Sequence, residues 1–162
     1  MLSRVYSCAV VGLEGVIVEV EVDYTNGLPA VVIVGLPDAA VQESRERVQT
    51  AVKNAGLNFP RHRIVVNLSP AAIRKEGPAY DLPIALGVVI LAGFLPQESI
   101  EGAMFIGELS LDGSLRPIKG ALPIAIQARK ENFRGIILPK ANAREAAIVA
   151  GAWDTLFAES MA

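Results

Sequence analysis

Few residues in this sequence have both the type and the spacing that catalysis requires. There is one histidine, His62, and one cysteine, Cys8. A tetrahedral metal site takes three or four imidazole or thiolate ligands, so that chemistry is excluded, while a site built only from carboxylates stays open. A histidine-based triad has no partner signature, and His62, between Arg61 and Arg63 at the start of a predicted strand, reads as a surface residue. Cys8 sits in the apolar run 5–11, which predicts a buried structural thiol rather than a nucleophile. A phosphate cradle of the form G-x-x-x-x-G-K-S/T is missing: Gly102 and Gly107 are followed by Glu108, and Gly113 and Gly120 have the wrong spacing. One hydrolytic chemistry remains, a serine activated by a lysine that an apolar setting keeps neutral. The stretch "RKEGPAYD", residues 74–81, directly before an apolar segment, is where it would be sought.

The elements that would position such a site are legible in the pattern. With 162 residues, 52% of them hydrophobic, the chain is the size of one domain and can bury a single core without staples. Its longest uncharged apolar run, residues 82–95, contains Pro83 and is shorter than the roughly 20 residues that span a bilayer, so it reads as a buried helix. Strands are predicted at 3–11, 16–24 and 30–34, with Val16, Val18, Val20 and Val22 facing one way and Glu19, Glu21 and Asp23 the other. Asn26-Gly27 predicts a hairpin that makes the second and third strands antiparallel neighbours. A helical stripe follows, Val41, Ser44, Val48, Ala51, Val52 and Ala55, capped by Asp38 and ended by Gly56, with Glu43 and Arg47 on a solvated face.

A strand at 63–68 leads into the charged loop and then a helix from Asp81, read as its cap, to about Leu95. After these come a strand at 104–109, a turn at Asp112-Gly113 with a short return strand, a helix at 121–130, a strand at 135–138, a helix at 142–149 and a strand at 153–157. This order predicts an α+β (α/β-like) domain in which helices pack on a mixed sheet. The lone cysteine and the lack of an export signal in Met1-Leu2-Ser3-Arg4-Val5 predict a cytoplasmic location. Fifteen basic and seventeen acidic residues give a net charge of −2, so only a local patch would draw a polyanion.

"RKEGPAYD" followed by "IGELSLDGSLRPIKGALPIAIQA" resembles the proteolytic domain of Lon proteases, whose K-D-G-P-S-A-G loop carries a serine and whose G-E-V-T-L-x-G-x-V-x-P-I-G-G-L-K segment carries a lysine. Lys75, Glu76, Gly77 and Pro78 match the first motif, and Ala79 stands where the serine belongs. Gly107, Glu108, Leu111, Gly113 and Pro117 match the second, and Leu122 stands where the lysine belongs. Over residues 4–157 the wording is closer still to the N-terminal domain of the Mg-chelatase-like AAA+ ATPase family of the ComM/YifB type: "VGLPDAAVQESRERVQTAVKNAG", "NLSPAAIRKEGPAYDLPIALG" and "GELSLDGSLRPIKGALPIA".

The resemblance implies a Lon-like, ribosomal protein S5 domain 2-like fold over 1–162, and a fragment that precedes an AAA+ motor. ATP and Mg would belong to that motor, and no cofactor to this chain. The implied partners are the C-terminal AAA+ domain, further copies in a hexameric ring, and DNA, with no membrane. The implied role is a non-catalytic scaffold, oligomerisation or DNA-contacting module in DNA processing and natural transformation. Candidate contacts with nucleic acid or a neighbouring subunit are Arg61, Arg63, Arg74, Lys75 and Lys119. The enzymatic alternative is a residual peptidase using Ser69 or Ser110 with Lys75 or Lys119.

Overall fold

The computed structural model of the chain describes residues 2–150 and 154–158. β1 (Ser3–Val11) and β2 (Glu14–Thr25) pair antiparallel, from Ser3 opposite Val22 to Val11 opposite Glu14. The predicted alternation holds: Val18, Val20 and Val22 are fully buried, while Glu19 and Glu21 lie on the other face, 3.1 and 3.8 Å from the Arg4 guanidinium.

β3 (Ala30–Val34) corrects the hairpin. β4 (Arg63–Ser69) inserts between β2 and β3, antiparallel to the first and parallel to the second. The direction of β3 relative to β2 is as expected, but the two strands are not neighbours. In the Asn26-Gly27 pair only Gly27 takes a positive φ, 137°, so the two-residue turn does not close. The link 26–29 instead crosses two strand spacings, about 10 Å, within reach of a short extended segment.

The predicted helix over 41–55 is broken at Glu43 into α1 (Ala39–Gln42) and α2 (Ser44–Asn54). Asp38 caps α1, its Oδ1 accepting from the Val41 amide at 2.8 Å. Gly56, at φ 87°, ends α2: its amide donates to Lys53 O and that of Leu57 to Val52 O, the six-to-one closure that a left-handed residue allows. α3 (Asp81–Leu91) buries every residue except Leu86. It stops at 91 rather than near 95 because Gly93, at φ 84°, closes it in the same way, with Phe94 N donating to Val89 O. Gly87 lets α3 settle on the sheet, since a Cβ there would lie 2.5 Å from Val22 Cγ2, and Ser3 Oγ donates to Gly87 O at 2.8 Å.

The strand predicted at 104–109 is two strands. β5 (Ala103–Phe105) joins the main sheet parallel to β1, whereas β6 (Glu108–Leu109) leaves it to pair with β7 (Leu115–Arg116). The break falls at Gly107, whose amide donates to Ala79 O at 2.8 Å and whose carbonyl accepts from Leu82 N at 3.0 Å, so its backbone bonds to the loop before α3 and to the first turn of that helix.

α4 (Ala121–Lys130), β8 (Gly135–Pro139), α5 (Ala143–Ala150) and β9 (Asp154–Ala158) complete the chain, the predicted helix and strands keeping their places. Trp153, the expected start of the last strand, lies outside the described residues. The sheet order is β3-β4-β2-β1-β5-β8-β9. Val5, Ala9, Ala103 and Phe105 face a core shared with α2 and α3, and Cys8, Met104, Ile136 and Leu138 face a second core under α4 and α5. Helices therefore cover both faces, and the loop at 70–80 is gathered near the C-terminal end of β4.

Candidate functional site

The segments that carry the Lon-like motifs meet at one cleft of about 390 Å³. The end of β1, the loop 76–80, Glu108, and residues 117–119 before α4 line it. Gly77 enters the loop at φ 82° and donates its amide to Asp38 Oδ2 at 3.1 Å, while Pro78 opens a single 3-10 turn to Tyr80. Ala79, next in the chain, presents a methyl group to the cleft, which can neither attack a carbonyl nor hold a proton.

Leu122 sits half-buried in the first turn of α4, its amide held by Glu145 at 3.0 Å, and is not among the residues that line the cleft. The amine that does line it is Lys119, exposed on the rim with the carboxylates of Glu76 and Glu108. Cys8 is the thiol of the lining, yet it is 2% exposed and burial pushes it up to about 12, so at neutral pH it is a protonated, structural thiol, as predicted.

None of the four replacement Ser–Lys pairings is hydrogen-bonded among the described residues. Among the described residues no serine hydroxyl is hydrogen-bonded to a lysine: Ser110 Oγ accepts from Arg116 Nε at 2.7 Å, and the Lys75 ammonium donates to Gly35 O at 2.7 Å and to Pro70 O. Nor do the described residues contain a group of three His, Cys, Asp or Glu side chains placed to hold a metal.

Lys75 corrects the contact set. Expected as a cation available to a phosphate or a neighbouring subunit, it is fully buried, and desolvation lowers its pKa. Its backbone explains why: Lys75 N donates to Leu36 O at 3.0 Å and Asp38 N to Lys75 O at 2.9 Å, pinning the loop to the end of β3 so that the side chain turns inward onto two carbonyls. A buried ammonium without a carboxylate is costly, and those two acceptors are what make it tolerable.

Asp81 is a second correction. It does not cap α3; it is 0% exposed and accepts four hydrogen bonds from two elements, α2 and β6. They come from Ser44 Oγ at 2.5 Å, Arg47 Nε at 2.7 Å, Arg47 Nη2 at 3.1 Å and the Leu109 amide at 3.0 Å. Arg47, expected on a solvated face, is drawn in by this forked pair, which raises its already high pKa. The opposite rim is clamped by Asn142, whose Oδ1 accepts from Ile118 N and whose Nδ2 donates to Ile118 O, each at 2.9 Å.

The remaining candidate cations do not form one patch. Arg61 and Arg63 lie at the start of β4, and Arg74 follows its end. The strand has seven residues, so about 20 Å separates the two groups. Arg74 pairs with Glu76 at 3.6 Å, both exposed, and Lys119 is on the cleft rim.

A family model described as subunit ChlI of Mg-chelatase matches residues 20–142. An uncharacterized protein of Mycobacterium tuberculosis is 46% identical over 93% of this chain and 30% of its own length. The competence protein ComM of Haemophilus influenzae is 40% identical over 99% of this chain and 31% of its own. The chain thus spans about a third of these relatives, as 30% and 31% show. A Lon protease of Chloroflexus aurantiacus is 29% identical over 79% of the chain and 16% of its own length, which makes the mixed sheet and its two helical layers a Lon-like fold.

Proposed function

The chain belongs to the Mg-chelatase ChlI-like family that its relatives of the ComM/YifB type share, and from that premise we propose that it is a non-hydrolytic module of a larger, DNA-processing ATPase. The observation that carries this reading is the Ala79 methyl in the cleft where the Lon motif has its serine. Loss of a nucleophile alone costs serine hydrolases roughly a millionfold in turnover, so a cleft without one is a fold feature rather than an active centre.

The module then works by shape and contact. It braces a ring-forming homo-oligomer next to a C-terminal AAA+ motor that supplies ATP and Mg, and it offers a surface to DNA in processes such as natural transformation. The internal clamps support a bracing role, because Asp81 and Asn142 make the cleft walls rigid without any reaction to position. No helix among the described residues is long and apolar enough to cross a membrane.

Sedimentation of the parent protein with and without residues 1–162 tests the bracing role. The intact protein is expected as a closed oligomer and the shortened one as smaller species. An unchanged ring without these residues would remove that role.

A further inference from the structure

The start of β4 gathers three cations, Lys53, Arg61 and Arg63, that form no ion pair among the described residues. By contrast Arg4, Arg47 and Arg74 each meet a carboxylate. Arg61 lines two adjoining depressions, one with Tyr24, His62 and Arg63, the other with Lys53 and Phe59. Tyr24 and His62 are both exposed and meet edge to face, their centroids 4.7 Å apart at 77°. Gly27 makes room for the Arg63 stem, because a Cβ there would lie 2.7 Å from Arg63 Cδ. The nearby Asp23 carboxylate accepts from the Tyr24 amide at 2.8 Å.

We propose that this end of the sheet binds a single-stranded polynucleotide, with Lys53, Arg61 and Arg63 on its phosphates and the Tyr24–His62 pair as a platform for a base. Unpaired cations track a phosphate backbone, and exposed rings stack on unpaired bases whatever their identity. A duplex hides those base faces and an acidic peptide has none, so the rings select the single strand. The site deepens the DNA-contacting role proposed above and rests on it. It lies about 20 Å from the cleft side of β4, so the two surfaces can be tested separately.

The test is fluorescence anisotropy of the full chain with a labelled thymidine oligonucleotide of about 20 nucleotides across a salt series. Three phosphate contacts at about 0.7 ion each predict a log–log slope near −2. Arg61→Ala/Arg63→Ala is expected to weaken binding at least about tenfold and flatten the slope by about 1.4. Arg61→Lys/Arg63→Lys should keep the slope, and its loss there would overturn the phosphate assignment. Tyr24→Leu should weaken binding about tenfold with the slope unchanged, while Arg74→Ala and Lys119→Ala should leave both as they are.

The proposal is overturned if the wild-type chain binds no strand at low salt, if the Arg74 or Lys119 variants lose binding instead, or if a duplex or polyglutamate binds as tightly. A chain that binds no strand and also cleaves no peptide would remove this site and leave the non-hydrolytic reading standing.

Discussion

Asp81 shows how much one side chain holds in this fold. With Arg47, Ser44 and the Leu109 amide all turned toward it, replacing it by Leu takes from the half-buried Arg47 its forked partner, leaving it Ala40 O and the exposed Glu43, and strands the Leu109 amide, so about 3 kcal/mol of stability should be lost in urea unfolding. Adding Arg47→Met removes the charge that has lost its forked partner and is expected to recover part of that loss; a double variant less stable than the single one would contradict the account. Lys75 predicts a pH dependence of definite sign. Burial lowers its pKa from 10.5, so between the lowered value and 10.5 the unfolded chain keeps a proton that the folded chain has released. Stability then rises with pH through that window, because the unfolded state binds more protons there. Measured against Lys75→Met, the urea midpoint of the wild type should shift in its own favour from neutral pH toward 10.5, and a constant difference would refute the buried-ammonium description.

At the scale of elements, the clamp on the 117–122 segment is the most exposed to test. Asn142→Leu leaves the Ile118 N–H and C=O without partners and is expected to cost roughly 1–3 kcal/mol, with faster hydrogen exchange at the Ile118 amide. Unchanged exchange would mean that the rim is held by something else. Periodicity made most elements legible: the valines of β2, the Val41 to Val52 stripe and the span of α4 all declare which face is buried. Partners were not legible. Asn26-Gly27 carries a hairpin signal in its residue types, but which strand lies beside β2 is decided by β4, some forty residues later, and no local pattern encodes that. Gly107 likewise reads as part of a strand until its backbone is seen bonded to Ala79 and Leu82.

For the whole molecule, the family and the Lon-like fold followed from wording that runs along most of the chain, whereas the fate of its charges did not. Arg47, Lys75 and Asp81 have surface-like residue types, and only the packing of α2 on α3 and of the 70–77 loop on β3 takes them inside. The cations left outside, Arg61 and Arg63 with Lys53, gained meaning only when the strand between them and Arg74 was given a length. The proposed non-hydrolytic role of the molecule rests on the cleft being chemically silent. Turnover of casein by the full chain tests that most directly: no cleavage above the protein-free blank is expected, whereas cleavage that disappears in Ser69→Ala or Ser110→Ala would contradict it.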